Sequence, residues 1–136
     1  MFGRRTYEKM VAFWPTQPDS NPIAASLNSQ PKYVASTTLH DPEWAHTTVL
    51  TDSIEHSVAA LKANVEGDIV ILGSGLLTHE LMRLELIDEL RLFVHPLLLG
   101  TGKRLFRELP RPRDLVLADV ASTSLGSVAL RYTLRR

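Results

Sequence analysis

Apolar residues recur at helical spacing in three stretches of the chain, Thr6–Trp14, Ile54–Val65 and Leu77–Leu84. Each stretch places its apolar side chains every three or four residues, which puts them on one face of a helix. Asp52 with Glu55 has the spacing of a capping box, so the second helix is predicted to begin there. We therefore expect three amphipathic helices, each packing one face inward.

Short apolar or β-branched runs predict strands between and after these helices. The first three are Lys32–Ser36, Thr47–Thr51 and Ile69–Leu72. The third is apolar on both faces, so we expect it inside a covered parallel sheet. Leu115–Ser122 and Ser127–Leu134 flank a turn and predict a hairpin. Together these elements predict an α/β fold, with a mostly parallel central sheet flanked by helices and a C-terminal antiparallel hairpin.

Composition narrows the class of protein. A chain of 136 residues fits one domain, 1–136. Its 15 basic and 15 acidic residues balance, which argues against a nucleic-acid surface. It has no apolar run long enough to span a bilayer. Without cysteine it can form neither disulfides nor thiolate metal sites, and its start does not resemble a secretion signal, so we expect a cytoplasmic protein.

Two stretches have residues suited to binding an anion. After Ile69–Leu72, the sequence Gly73-Ser74-Gly75 turns into a helix, and glycines allow a phosphate to approach the backbone and the first helical amides. Glycine can also serve only to make such a bend. Gly3-Arg4-Arg5-Thr6 places two guanidinium groups at a helix start, where the dipole disfavours cations unless an anion binds. The alternative for this stretch is a pair of solvated arginines.

Other motifs point less directly to chemistry. Ser36-Thr37-Thr38 follows a strand, where ligands of α/β sheets bind, although such residues often only cap a turn. Gly100–Lys103 is not a nucleotide-triphosphate loop, because Leu97 stands where that loop needs its first glycine. The five histidines lack metal-ligand spacing, so we expect no metal site. No carboxylate has the setting of a general acid, which leaves the catalytic residues unassigned.

The order of these motifs resembles that of the dihydrofolate reductase superfamily. The branch it resembles most is the reductase domain of the bacterial bifunctional deaminase-reductase of riboflavin biosynthesis, with its stand-alone relatives. The resemblance covers nearly the whole chain. Its segments are Gly3–Glu8, Val34–Thr37, Ile71–Leu77, Leu86–Leu92 and Pro96–Phe106.

The resemblance implies an NADPH-dependent reductase that transfers a hydride to a small heterocyclic substrate. That substrate is pyrimidine-like or pterin-like, for example the pyrimidine 5-amino-6-(5-phosphoribosylamino)uracil. The alternative is an inactive protein that binds NADPH or another nucleotide and retains the fold. By the same resemblance, the 2′-phosphate and pyrophosphate of NADPH lie at the first motif, the adenosine lies by the second, and the pyrophosphate reaches the third. These cofactor residues are Gly3, Arg4, Arg5 and Thr6, then Ser36 and Thr37, then Gly73, Ser74, Gly75, Leu76 and Leu77.

The resemblance also concerns the start of the chain. Relatives usually begin with a further strand, a substrate-facing loop and a helix before the Gly-Arg-Arg-Thr motif, whereas here strand-like Met1-Phe2 comes directly before it. That start favours assignment at an internal methionine, and the alternative is a chain that lacks this half of its cleft. A sheet without the further strand would expose unpaired backbone groups, so a homodimer is also expected.

Overall fold

The structure is a computed structural model that describes residues 1–107 and 109–135. In this part of the chain the strands form two three-stranded sheets, one parallel and one antiparallel. The chain divides into two compact units, Met1–Leu81 and a second unit that begins at Met82. The single domain over 1–136 stays a prediction.

The first unit is built on the parallel sheet. Its strands, in sheet order, are β1 (Phe2–Gly3), β2 (Lys32–Ala35) and β3 (Thr47–Leu50). The helices, in chain order, are α1 (Arg4–Val11), α2 (Pro22–Ser29), α3 (Ile54–Asn64) and α4 (Gly75–Arg83), with a 3₁₀ turn at Trp14–Thr16. The helices predicted from Thr6, Ile54 and Leu77 are therefore present, with the first and third beginning two residues earlier.

A small aromatic core holds β1 and α1 in place. Phe2, Tyr7, Val34 and Trp44 are buried together. The rings of Phe2 and Trp44 stack with their centroids 6.1 Å apart, and the Trp44 backbone N–H donates to the Tyr7 hydroxyl at 3.1 Å. Because Phe2 and Tyr7 flank the start of α1, these contacts fix the position of the residues between them.

Lys32 is the one buried charged side chain in the described part of the first unit, with 3% of its surface exposed. Its ammonium group donates to the carbonyls of Leu27, Asn28 and Gln30 at 2.8, 3.3 and 2.7 Å. It also lies 4.7 Å from the ring centre of Trp44. Burial lowers the pKa of Lys32, whereas the carbonyls at the end of α2 stabilise its charged form.

Two expectations for the first unit are wrong in detail. Ile69–Leu72 has no strand assignment, and Val70 and Leu72 are 47% and 39% exposed. The Met1 amino group donates to the Val70 carbonyl at 2.6 Å, but β1 has only two residues and cannot carry a ladder along this segment. Secondly, the cap of α3 is Ser53, whose hydroxyl accepts from the His56 amide, instead of Asp52.

The second unit contains the antiparallel sheet. Its strands are β4 (Glu89–Val94), β5 (Leu115–Ser122) and β6 (Val128–Leu134), with β6 in the middle. The turn between β5 and β6 closes with Thr123 N–H donating to the Ser127 carbonyl at 2.8 Å, and Gly126 takes the left-handed conformation, with φ +82°. The α/β class and the C-terminal antiparallel hairpin are confirmed, although the antiparallel strands form a sheet of their own.

Candidate functional site

The start of α1 follows β1 without a loop. Gly3 is both the last residue of β1 and the cap of α1, and no side chain caps this helix. Because the aromatic core anchors both neighbours of this junction, Arg4 and Arg5 lie on the outer side of the first turn and are exposed. The predicted helix start at the arginine pair is thus an accessible surface.

The second predicted anion-binding turn leads into α4. Gly73 and Ser74 both have left-handed backbones, with φ of +61° and +54°. The turn is closed by Thr78, whose N–H donates to the Ser74 carbonyl at 2.9 Å and whose hydroxyl donates to the Gly73 carbonyl at 3.2 Å. Leu77 is buried and Leu76 is exposed. One face of α4 therefore packs inward, while the other side of its first turn is exposed to solvent.

The two turns are neighbours in the first unit. The Gly3 N–H donates to the Ser74 hydroxyl oxygen at 3.0 Å. A methyl group at Gly3 would lie 3.8 Å from Cβ of Leu77, and one at Gly73 would lie 3.8 Å from Cγ2 of Thr6. Two stretches about 70 residues apart in sequence therefore form one continuous surface made of two helix starts.

The charges at these helix starts are unusual. Neither α1 nor α4 has an acidic residue in its first turn, although acidic side chains are the ones that a helix start favours. Arg5 has no ion-pair or hydrogen-bond partner within residues 1–107 and 109–135. Arg4 Nε lies 3.5 Å from the Glu8 carboxylate. This surface combines unneutralised helix dipoles with positive side chains, which is a setting that attracts a phosphate.

The loop after β2 borders the same surface. Ser36 N–H donates to the Leu50 carbonyl at 3.2 Å, and the Ser36 hydroxyl accepts from the amides of Thr38 and Leu39 at 3.2 and 3.0 Å. Arg4 Nη1 donates to Thr38 Oγ1 at 3.0 Å. The predicted residue Thr37 is exposed in this loop.

Thr38 belongs to the predicted run of hydroxyl residues, but it is not among the cofactor residues that the resemblance implies. The residue is the third of the run Ser36-Thr37-Thr38, and its hydroxyl contacts the one arginine of the pair that also faces Glu8. The run itself is the signal for this residue, because Ser36 closes the turn and leaves the hydroxyl of Thr38 beyond it. The predicted residues otherwise fall on three adjoining pieces of backbone, the α1 start, the loop after β2 and the turn before α4.

Neither a metal-binding cluster nor a membrane-spanning helix occurs among the described residues. No three of their His, Asp and Glu side chains are grouped so that they could hold a metal ion. None of their helices is long and apolar enough to span a membrane.

Residues 1–130 match the RibD C-terminal domain family. The chain belongs to this family. Its sequence is 29% identical over 135 residues to YyaP, an uncharacterised protein of Bacillus subtilis strain 168, in an alignment that covers 97% of this chain and 71% of YyaP. The RibD family therefore supports a reductase-like function in riboflavin biosynthesis, with a nicotinamide cofactor and a small-molecule substrate.

Solved structures show the same fold. A protein of Shewanella sp. PV-4 assigned to riboflavin biosynthesis superposes with a TM-score of 0.80 at 22% identity, over 99% of this chain and 72% of that protein. A pyrimidine reductase-like protein of Corynebacterium diphtheriae superposes with a TM-score of 0.57 at 20% identity, over 88% of this chain and 57% of that protein. The resemblance to the riboflavin-biosynthesis reductases is confirmed at the level of family and fold.

Proposed function

We propose that this chain is an NADPH-dependent reductase of the riboflavin-biosynthesis type. The observation that carries the proposal is the hydrogen bond from Gly3 N–H to the Ser74 hydroxyl, because it joins two helix starts that lack acidic residues. NADPH carries a pyrophosphate and a 2′-phosphate, so two adjoining anion-binding helix starts suit it. In such a reductase NADPH supplies the hydride, and the protein binds and orients the NADPH.

The proposed contacts follow the chemistry of each piece of the surface. The backbone amides of Gly73 to Leu77, in the turn before α4 and in its first three residues, would bind the pyrophosphate. Glycine at 73 and 75 leaves the backbone open to this group. Gly3 and Thr6 would border the pyrophosphate from α1. Arg4 and Arg5 would pair with the 2′-phosphate, and Ser36 and Thr37 would lie along the adenosine.

The proposed substrate is 5-amino-6-(5-phosphoribosylamino)uracil or a related pyrimidine. Membership of the RibD C-terminal domain family supports this choice, and so does the likeness to a pyrimidine reductase-like protein.

Titration of the purified chain with NADPH tests cofactor binding, followed through the fluorescence of Trp14 and Trp44. Saturable quenching is expected, and Arg4→Ala should weaken it. Consumption of NADPH in the presence of the pyrimidine, measured by nicotinamide absorbance, then tests the reaction. Binding without consumption would support the inactive nucleotide-binding protein instead, and absence of saturable binding would reject both functions.

We also propose that the protein works in the cytoplasm and forms a homodimer. The described apolar side chains of the antiparallel sheet include several that are more than half exposed, among them Phe93 at 67% and Val120 at 55%. Exposed apolar sheet surface of this kind favours association. Sedimentation velocity at several concentrations tests the dimer, and a mass of one chain at every concentration would reject it.

A further inference from the structure

The side chain of Arg4 contacts two partners through different nitrogens. On one side its Nη1 donates to Thr38 Oγ1 at 3.0 Å. On the other its Nε lies 3.5 Å from Glu8, one turn further along α1. A guanidinium group has five N–H donors, so both partners together leave donors free for an anion. The hydrogen bond to Thr38 fixes one end of the guanidinium group and so sets the direction in which the remaining donors point.

Thr38 is itself fixed in position. The Ser36 hydroxyl accepts from the Thr38 amide, and Ser36 is tied to β3 through the Leu50 carbonyl. The Thr38 hydroxyl is therefore an acceptor built onto the parallel sheet, whereas Glu8 is an exposed acidic side chain on the helix surface. Without Thr38, Glu8 would be the remaining partner of the Arg4 guanidinium group. Its carboxylate would then hold that group against the surface of α1 and neutralise its charge.

We infer that Thr38 is a positioning residue that orients Arg4 toward the 2′-phosphate and so sets the preference for NADPH over NADH. The inference rests on the proposed function, since it assumes that a dinucleotide binds at this surface. NADPH and NADH differ only in the 2′-phosphate, so the ratio of their dissociation constants reports on the contacts to that phosphate. A merely structural role for Thr38 would change both affinities together.

The test measures the dissociation constants of NADPH and NADH by calorimetry for four variants. Thr38→Val, which keeps the shape and removes the acceptor, should weaken NADPH binding about tenfold and leave NADH within about twofold. Thr38→Ser should restore the wild-type ratio. Glu8→Gln, which removes the competing carboxylate, should tighten NADPH binding. Thr48→Val is the matched control, because Thr48 is an exposed threonine of β3, and it should change neither affinity.

The outcomes separate the inference from the proposed function. An equal loss for both dinucleotides in Thr38→Val, or no loss for either, would overturn the role of Thr38 while leaving cofactor binding intact. Failure of the wild-type chain to bind NADPH would overturn the proposed function, and the inference with it.

Discussion

Ser74 offers the sharpest test of how the two helix starts are joined. Its hydroxyl accepts the Gly3 N–H at 3.0 Å, and its backbone is left-handed, with φ +54°. Ser74→Ala removes the hydrogen bond and keeps the unfavourable backbone. Ser74→Gly removes the same hydrogen bond but tolerates that backbone conformation.

Ser74→Ala should therefore be less stable than Ser74→Gly. Loss of a hydrogen bond of this kind costs about 1 kcal/mol. A left-handed backbone costs an ordinary residue about 1 kcal/mol more than it costs glycine. Ser74→Ala should thus lower the free energy of unfolding by about 1 kcal/mol, and Ser74→Gly by about 1 kcal/mol less than Ser74→Ala.

Urea unfolding followed by tryptophan fluorescence measures this difference, because Trp14 and Trp44 both lie in the first unit. The same samples can be titrated with NADPH, and both variants should bind it more weakly, since neither ties the Gly3 amide to the turn before α4. A stability of Ser74→Ala equal to that of the wild type would refute the hydrogen bond. A less stable glycine variant would refute the argument from backbone conformation.

Three further changes have defined outcomes. Arg5→Ala should weaken NADPH binding about tenfold at unchanged melting temperature, since Arg5 lacks a partner in the described chain; a lowered melting temperature would contradict this. Lys32→Met should lower the free energy of unfolding in urea by about 2 kcal/mol, because it leaves the carbonyls at the end of α2 without their hydrogen-bond donor. Unchanged stability would show that these carbonyls find other donors. Hydrogen bonds from Arg113 and then Arg111 lower the pKa of Glu85 below 4.5, so this pairing stabilises the fold above that pH and is lost as the pH falls below it. Glu85→Gln should flatten the acid limb of a plot of stability against pH, and an unaltered limb would argue against the pairing.

Local patterns were enough to predict much of the fold. The three amphipathic helices and the hairpin could be predicted because 3.6-residue and two-residue periods are properties of a single segment. Helix α2, of eight residues, lies in a proline-rich stretch outside the three predicted helices. Asn21 caps it by accepting from the amides of Ile23 and Ala24, and Pro22 fits its first turn. Prolines that suggest a loop can therefore also start a helix.

The parts that could not be predicted depend on distant partners. Ile69–Leu72 has the composition of a buried strand, but a strand also needs a neighbour long enough to pair with it. Asp52 and Ser53 are both good caps, and only the path of the backbone decides between them. Thr38 gained its place at the site through Arg4, which lies 34 residues away. By contrast, Gly3 and Ser74 were singled out separately from glycine and charge patterns, and the fold brings them into contact.

The central claim, that one dinucleotide binds across both helix starts, is tested most directly by amide chemical shifts. NADPH is titrated into the isotope-labelled chain, and the backbone resonances of residues 3–6 and 73–77 are followed together. We predict that both groups shift with the same dissociation constant. Shifts confined to one group, or two groups that saturate at different NADPH concentrations, would contradict a shared site.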